Sequence, residues 1–254
     1  MTVGKIFAAG RPALIGYLPA GFPTVEGGIE AITAMVDAGV DAVEVGFPYS
    51  DPVIDGPVIQ RATEAALAAG VRPADVLRTV ERVAALGVPA VVMTYWNPME
   101  RYGVARFARD LAAAGGAGLI TPDLIPDEAG EWIAASDEHG LDRIFLVSPS
   151  STEARVRSTT AACRGFVYAT ALMGVTGARD QVSSDAPALV ERVRAVTRTP
   201  VAVGLGVRDG AQAAAIGAFA DGVIDGSALV AALAEGGIAA VAALTADLAA
   251  GVRA

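Results

Sequence analysis

The sequence predicts an α/β protein: a single (β/α)8 TIM barrel, with a parallel eight-stranded barrel, that spans residues 1–254. Three observations predict it. Short apolar or β-branched runs alternate with alanine-rich amphipathic stretches along the whole chain, as in repeated strand–helix units around a parallel sheet. Eight such units are present, and no linker-like or low-complexity segment separates them. The length of 254 residues suits one barrel, which typically needs about 250.

Each predicted strand is short and apolar and is followed by at least one predicted helix. The strands are 13–18, 41–46, 89–95, 118–121, 143–148, 165–170, 200–205 and 221–225. The helices are 24–38, 57–69, 73–86, 103–114, 127–139, 152–162, 185–197, 209–218 and 227–250. A doubly wound open sheet is the alternative fold. It usually carries a Gly-x-Gly-x-x-Gly turn after the first strand, and residues 17–23 (YLPAGFP) lack that pattern.

Composition excludes several classes of function. The formal net charge of −9 gives no support to nucleic-acid binding, because the overall field repels phosphate backbones. Cys163 is the only cysteine, which excludes an intramolecular disulfide and a cysteine-based metal cluster. His139 is the only histidine and lies in the polar run SDEHGLD, which favours a solvated helix end over a catalytic triad. We therefore expect no metal site.

The start of the chain and the apolar runs bear on localisation. Residues 1–18 contain one short apolar patch interrupted by glycine and arginine, without the long apolar region of a secretory signal. No uncharged apolar run approaches the roughly 18 residues of a membrane span. The sequence therefore predicts a cytoplasmic protein that does not enter a membrane.

Reactive groups of a parallel barrel lie at the C-terminal ends of its strands and in the loops that follow. Glu44 interrupts the apolar strand DAVEVG, where a buried carboxylate would have a raised pKa suited to acid–base work. The alternative is that Glu44 points outward and pairs with a basic residue on a covering helix. In the following loop, Asp51 before Pro52 is typical of a turn, and Asp55 before Gly56 fits either a turn or a function.

That loop resembles a known family. Residues 46–60, GFPYSDPVIDGPVIQ, are similar to the signature loop of the tryptophan synthase alpha subunit, which follows a strand-2 glutamate. Further segments resemble the same family in the same order and cover nearly the whole chain. They are GYLPAGFP (16–23), MTYWNP (93–98), TPDLIPDEA (121–129), GVTGAR (174–179) and GSA (226–228).

The resemblance implies a carbon–carbon lyase of L-tryptophan biosynthesis. The reaction is the retro-aldol cleavage of indole-3-glycerol phosphate to indole and D-glyceraldehyde 3-phosphate. By resemblance, Glu44 protonates indole C3 and then takes the proton of the chain hydroxyl, while Asp55 holds the indole N–H and stabilises the cationic indolenine. Tyr168 matches a tyrosine that lines the family's site, and simple packing at the barrel top is its alternative.

The resemblance also implies a substrate-binding set. Barrels of this kind place phosphate among the last loops and at the N-terminus of a short helix. The expected phosphate and ring contacts are Tyr17, Thr176, Gly177, Leu205, Gly206, Gly226 and Ser227. Asp225 departs from the expected small or apolar residue, and a carboxylate aimed at the phosphate would repel it; facing the helices is the alternative. Glycines at 174 and 177 fit a loop that closes over substrate, although static loops also contain glycine.

The family's partner is a beta subunit that uses pyridoxal phosphate, in an alpha2beta2 heterotetramer, and the resemblance implies no cofactor in this chain. The exposed segments 51–58, 96–102 and 123–128 are the predicted docking surface, unless their residues only order long loops. Two other functions stay open: a stand-alone indole-releasing lyase, and a weakly active subunit that regulates its beta partner. A different phosphate-handling barrel would not explain the loop 46–60.

Overall fold

The computed structural model describes residues 2–170, 185–204 and 206–254. Nine parallel strand segments form its sheet. They are Ala13–Pro19 (β1), Ala42–Gly46 (β2), Ala90–Met93 (β3), Gly118–Ile120 (β4), Asp142–Ile144 (β5), Leu146–Val147 (β6), Val167–Thr170 (β7), Val201–Gly204 (β8) and Gly222–Asp225 (β9).

These segments form an eightfold barrel. Neighbouring strands follow the order β5-β4-β3-β2-β1-β9-β8-β7-β6, so β1 pairs with both β2 and β9. β5 and β6 are the two halves of the fifth barrel strand and are separated only by Phe145, whose carbonyl accepts a hydrogen bond from the Tyr168 N–H at 3.2 Å. The chain itself thus joins the two ends of that order, and the predicted (β/α)8 class is confirmed.

Helices cover the outside of the barrel. They are Val25–Ala38 (α1), Pro57–Ala68 (α2), Pro73–Ala85 (α3), Trp96–Tyr102 (α4), Val104–Ala113 (α5), Gly130–His139 (α6), Glu153–Ala162 (α7), Asp185–Arg194 (α8), Gly210–Gly217 (α9) and Ser227–Val252 (α10). Two 3-10 helices, Val3–Ala9 and Pro126–Glu128, accompany them. Each predicted helix has a counterpart here, and α4 was not predicted.

The helix α4 depends on a contact distant in sequence. Both carboxylate oxygens of Asp123 accept a hydrogen bond from the Trp96 N–H, at 2.9 and 3.1 Å, and so cap the first turn from the loop after β4. The residue before the helix, Tyr95, provides no side-chain cap. A local reading of MTYWNP therefore contains no start signal, and the segment reads as a loop.

Strand residues alternate between two cores. Ile15, Val91, Ile144 and Ile224 belong to the small cluster inside the barrel, while their neighbours pack outward against the helices in the large cluster. Because the strands are covered on both faces, they read as continuous apolar runs. A polar residue on the inner face near a strand's C-terminal end is therefore placed at the barrel mouth.

The N-terminal 3-10 helix covers the opposite end of the barrel. Val3 is fully buried, and its N–H donates to Asp142 Oδ2 at 2.7 Å. The Phe7 ring packs on Phe166 with centroids 5.8 Å apart. This segment lies at the end of the barrel away from the mouth.

The last helix, α10, is long and apolar enough by length and composition alone to cross a membrane. It packs against α1, α9 and β1, and it is kinked at Gly237, where φ is 66° and ψ is −161°. Its buried residues include Leu229, Val241 and Leu248. These contacts make it part of the barrel's outer layer.

Candidate active site

A cavity of about 440 Å³ opens at the C-terminal ends of the strands. It brings together most of the predicted site residues, namely Tyr17, Glu44, Asp55, Tyr168, Gly206, Gly226 and Ser227. Thr176, Gly177 and Leu205 lie outside the described residues. The volume is typical of a pocket for a small organic substrate.

Glu44 lies on the inner face of β2, in register with Tyr17 on β1 and Val91 on β3. Its side chain is 1% exposed, and its Oε2 atom has no hydrogen-bond partner among the described residues. Burial, and then the nearby charge of Asp55, raise the pKa of Glu44 to about 8. The group is therefore protonated at neutral pH, and it does not pair outward with a covering helix.

Asp55 lies in the loop between β2 and α2. Partial burial raises its pKa to about 6, while a hydrogen bond from Tyr95 acts in the opposite direction. The backbone around it is held by Gln60, whose Nε2 donates to the Asp55 carbonyl at 2.8 Å. At neutral pH the site thus contains one ionised carboxylate and one neutral carboxyl group.

Tyr95 fixes the position of this loop, and sequence reasoning did not single it out. It is 5% exposed, and its hydroxyl accepts a hydrogen bond from the Ile54 N–H at 3.0 Å. The Tyr49 ring packs on it with centroids 5.4 Å apart. The available signal was its place at the end of the predicted third strand, 89–95, within MTYWNP, a segment noted only as part of the resemblance.

Glycines make room for the two tyrosines of the cavity wall. A Cβ atom at Gly46 would overlap the phenol end of Tyr17, and one at Gly204 would overlap the Tyr168 hydroxyl. A Cβ at Gly226 would lie 2.9 Å from the Tyr17 ring. The two tyrosines can therefore approach the backbone closely only because these positions are glycine.

The far end of the cavity meets the start of α10. Gly226 and Ser227 line it, and the first described helical hydrogen bond runs from Val230 N–H to the Gly226 carbonyl at 2.8 Å. The amides of residues 227–229 precede that bond and have no acceptor within the helix. Gly206, with φ of 64°, lines the same end. This end of the cavity is suited to an anion.

Asp225 does not line the cavity. Ile224 belongs to the inner cluster and Val223 to the outer one, so strand alternation turns Asp225 outward, beside Gly16 of β1. The side chain is completely buried, and burial raises its pKa to about 7. The structure therefore supports the second of the two orientations considered from the sequence, in which the carboxylate faces the helices.

A serine wall, formed by Ser148, Ser150 and Ser151 after β6, lies on the cavity and was missed by sequence reasoning. The Ser148 and Ser150 hydroxyls are 2.9 Å apart, and the Ser148 N–H donates to Ser151 Oγ at 3.0 Å. Serines after a strand read as ordinary turn residues, so no local signal marked them. Within the described part of the chain, no three His, Cys, Asp or Glu side chains are grouped as a metal site.

Comparisons with known proteins agree with this geometry. A family model described as "Tryptophan synthase alpha chain" matches residues 4–250. The tryptophan synthase alpha chain of Salinispora arenicola is 67% identical over 254 residues, 98% of this chain and 95% of the relative. That of Mycobacterium avium is 65% identical over 255 residues, 99% of this chain and 94% of the relative.

Solved structures give the same result. A structure of Mycobacterium tuberculosis tryptophan synthase has a TM-score of 0.95 at 62% identity, covering 99% of this chain and 98% of that chain. A mutant tryptophan synthase alpha-subunit from Pyrococcus furiosus has a TM-score of 0.86 at 31% identity, covering 94% of this chain and 98% of that chain. The chain therefore belongs to the tryptophan synthase alpha chain family.

Proposed function

We propose that Glu44 and Asp55 carry out the alpha reaction of tryptophan synthase in this chain, the cleavage of indole-3-glycerol phosphate to indole and D-glyceraldehyde 3-phosphate. The observation that carries the proposal is one cavity holding a fully buried, partly unpartnered Glu44 beside a half-buried Asp55. Family membership supports this lyase reaction over a stand-alone enzyme or a weakly active regulatory subunit.

The protonation states suit the two roles. Glu44, neutral below pH 8, donates its proton to indole C3 and so produces a cationic indolenine. The resulting carboxylate then takes the proton of the chain hydroxyl next to the ring. The bond between C3 and the chain breaks, its electrons return to the ring, and the hydroxyl carbon becomes the aldehyde. Glu44 ends protonated, as it began.

Asp55 stabilises the charge that appears during this sequence. With a pKa of about 6 it is ionised at neutral pH, and its carboxylate accepts the indole N–H, which becomes more acidic when the ring is cationic. Because this hydrogen bond strengthens in the cationic intermediate, it favours the transition state over bound substrate. Two carboxyl groups with different pKa values thus divide the work.

The remaining contacts hold the substrate at its two ends. Tyr17 and Tyr168 face the indole ring, and Gly206, Gly226 and Ser227 bind the phosphate through backbone amides and the serine hydroxyl. Thr176, Gly177 and Leu205 complete the proposed set on the strength of the resemblance alone. The serine wall borders the middle of the cavity, where the glycerol hydroxyls would lie.

A beta subunit is the partner, as membership of the family implies. We propose that it docks on the exposed segments at the barrel mouth, where Val53 is 71% and Ile125 is 39% exposed. We further propose an alpha2beta2 complex in the cytoplasm, with pyridoxal phosphate confined to the beta subunit. Large apolar side chains left in solvent next to a catalytic cavity support a surface that a partner covers.

The test is indole release from indole-3-glycerol phosphate by the purified chain, with and without a beta subunit. We expect slow release alone, strong stimulation by the partner, and a loss of at least about a hundredfold in Glu44→Gln and in Asp55→Asn. Glu64→Gln and Asp37→Asn make the same chemical changes at exposed positions on α2 and α1 and should retain wild-type rates.

Two outcomes would change the proposal. Fast release without a partner would favour the stand-alone lyase. No release under either condition, from protein that is folded by circular dichroism, would overturn the catalytic roles of Glu44 and Asp55.

A further inference from the structure

We propose that Asp225 is a positioning residue whose protonation state sets the affinity of the cavity for the substrate phosphate: neutral Asp225 permits tight binding and ionised Asp225 opposes it. The inference rests on the proposed phosphate site at Gly226 and Ser227. It concerns a residue outside the cavity that touches neither the phosphate nor the reacting atoms.

The position of Asp225 is set by strand alternation. Ile224, the residue before it, lines the cavity, and Gly226, the residue after it, lines the phosphate end. Asp225 itself points outward from β9, in register with Gly16 on β1. It therefore lies behind the backbone that would contact the phosphate, on the side of the helix layer.

The carboxyl group is unusual for its surroundings. It is 0% exposed, and neither Oδ1 nor Oδ2 has a hydrogen-bond partner among the described residues. The N–H groups of Gly226, Ala228 and Leu229 lie near enough to lower its pKa, but none forms a hydrogen bond of normal geometry with it. An ionised, unpaired carboxylate at such a site is costly, so burial raises the pKa of Asp225, while the nearby N–H groups act in the opposite direction.

These amides and those of the proposed anion site at Gly226 and Ser227 belong to the same helix terminus, and Gly226 is in both groups. The start of α10 carries a partial positive charge from its unpaired N–H groups, which a phosphate approaches from the cavity. An ionised Asp225 is attracted to the same partial positive charge from the other side of the backbone, which weakens the attraction of that charge for the phosphate. The carboxylate also repels the phosphate directly. Neutral Asp225 does neither, so the two anions compete for one helix terminus.

Among the residues that the structure describes, few other titratable groups face Asp225. Through the barrel wall, Tyr168 on β7 is close enough for the charge of Asp225 to contribute to its raised pKa. Gly16 is the neighbour of Asp225 on β1, and the side chains around it are apolar. They are Met35 of α1, Val40 in the loop after α1, and Leu229 of α10.

The other packed helices add no charge from their described buried residues. α9 buries Gly210, Ala213 and Ile216, and α2 buries Ile59, Ala62, Thr63 and Ala66. No basic side chain in these sets neutralises Asp225. With its pKa at about 7, the residue changes charge within the physiological range of pH.

The test uses sulfate, a dianion whose charge is constant between pH 5.5 and 8.5. Sulfate is titrated into the ¹⁵N-labelled chain, and binding is followed by the amide resonances of Gly226 and Ser227. We expect the Kd of the wild-type chain for sulfate to rise at least about tenfold from pH 5.5 to 8.5. By linkage, a tenfold change corresponds to an increase of about one unit in the pKa of Asp225 when sulfate is bound.

Two variants and one control isolate the residue. Asp225→Asn removes the charge and keeps the shape, and Asp225→Val, which matches the outward Val223, remains usable if the asparagine variant does not fold. Glu44 and Asp55 line the same cavity and still titrate in both variants, so the Kd of the variants should also rise with pH, but by at least about threefold less than the Kd of the wild type over the same range. Glu235→Gln removes one charge from the exposed part of α10 and should keep the wild-type pH dependence.

The outcomes are distinguishable. Equal pH dependence in wild type and both Asp225 variants would overturn the role of Asp225 and leave the phosphate site intact. Absence of any shift at Gly226 and Ser227, in all proteins and at both pH values, would instead overturn the proposed phosphate site. A further expected result is that the KM for indole-3-glycerol phosphate at pH 8.5 falls in the variants while kcat stays close to the wild-type value.

Discussion

The Tyr95 hydroxyl lies 3.0 Å from the backbone nitrogen of Ile54 and accepts its N–H, one residue before Asp55. The same phenol lowers the pKa of Asp55 through a hydrogen bond. A residue after β3 thus holds both the backbone and the charge of a loop that follows β2. This contact links two segments, residues 46–60 and 93–98, that the sequence shows only as separate motifs.

Tyr95→Phe tests this contact. Without the hydroxyl the Ile54 N–H loses its acceptor and the Asp55 carboxylate loses a donor, at a cost of about 1 kcal/mol for each hydrogen bond. We expect kcat/KM to fall roughly tenfold and the acidic limb of its pH profile to move to higher pH. Tyr49→Phe is the matched control, because it removes a hydroxyl from the adjacent ring and leaves Tyr95 in place. Equal effects of the two changes would contradict the role of Tyr95.

The pH profile of turnover tests the division of roles between the two carboxyl groups. Asp55 and Glu44 have pKa values of about 6 and 8 in the free chain, and the reaction needs Asp55 ionised and Glu44 protonated. We therefore expect kcat at saturating substrate to rise with pH on the acidic side, where Asp55 ionises, and to fall on the alkaline side, where Glu44 loses its proton. The two apparent values belong to the coupled pair. Glu64→Gln, an exposed change, should leave both limbs unchanged; a profile flat from pH 5 to 9 would contradict the assignment.

Stability should depend on pH in the opposite sense to that of an ordinary surface carboxylate. Burial raises the pKa values of Glu44 and Asp225 above those of the unfolded chain, so the folded state binds more protons than the unfolded state between about pH 4 and 8. The free energy of unfolding therefore falls as pH rises through that interval. Glu44→Gln removes one such group, so its Tm should exceed the wild-type Tm at pH 8.5.

The expected gain is a few degrees, since 1 kcal/mol corresponds to roughly 2–4 °C for a chain of this size. Thermal unfolding followed by circular dichroism at pH 5.0 and 8.5 measures it. The comparison that matters is the loss of Tm between the two pH values, which should be smaller in Glu44→Gln than in the wild type. A larger or equal loss in the variant would contradict the prediction.

The space behind Tyr168 can be tested with alanine. A Cβ atom at Gly204 would overlap the Tyr168 hydroxyl, so Gly204→Ala should destabilise the fold by about 1–3 kcal/mol and weaken substrate binding. Gly130→Ala at the start of α6 is the control, because a Cβ atom there meets nothing within 4 Å, and it should be neutral or slightly stabilising.

A double variant separates overlap from a general defect. Tyr168→Ala removes the phenol, so Gly204→Ala should cost much less stability in that background, a coupling expected only for residues in contact. Chemical denaturation of the four proteins measures it. Additive losses would show that the glycine is required for another reason.

The barrel floor offers a prediction about stability alone. Asp142 accepts the buried Val3 N–H at 2.7 Å, and Asp142→Ala leaves that donor unsatisfied at a cost of about 1–3 kcal/mol. Because the floor is at the opposite end from the cavity, kcat at 25 °C should be unchanged. Glu138→Gln on the exposed face of α6 should alter neither Tm nor kcat. A fall in kcat in folded Asp142→Ala would show that the floor contributes to the reaction.

The sequence predicted the barrel because periodicity reports which faces are buried, and the whole chain obeys one repeated pattern. It could not predict α4, since the cap of Trp96 comes from Asp123, in the loop after the next strand. The hydrogen bond from the Tyr168 N–H to the Phe145 carbonyl also joins residues that are distant in sequence. Local patterns contain no information on these distant contacts.

The candidate site also combines residues that the sequence predicts with residues that it does not. Glu44 was conspicuous as a charge in an apolar strand, and the fold then placed it on the inner face. Tyr95 and the serine wall carry no such signal, because a tyrosine or serine after a strand is commonplace. The direction of Asp225 required the register of β9 with β1, which the sequence does not contain. The roles of Thr176, Gly177 and Leu205 stay predictions.

The pairing of the first strand with the last has a consequence for the order of events on the ribosome. β1 forms hydrogen bonds to both β2 and β9, and β9 follows it by about 200 residues. At a synthesis rate of about 5–20 residues per second, one edge of β1 remains without its partner for on the order of 10 s or more. That edge is continuous and apolar, which makes it a template for mispairing until the end of the chain emerges. A nascent chain of this protein therefore leaves one edge of its first strand open to mispairing long after that strand has been made.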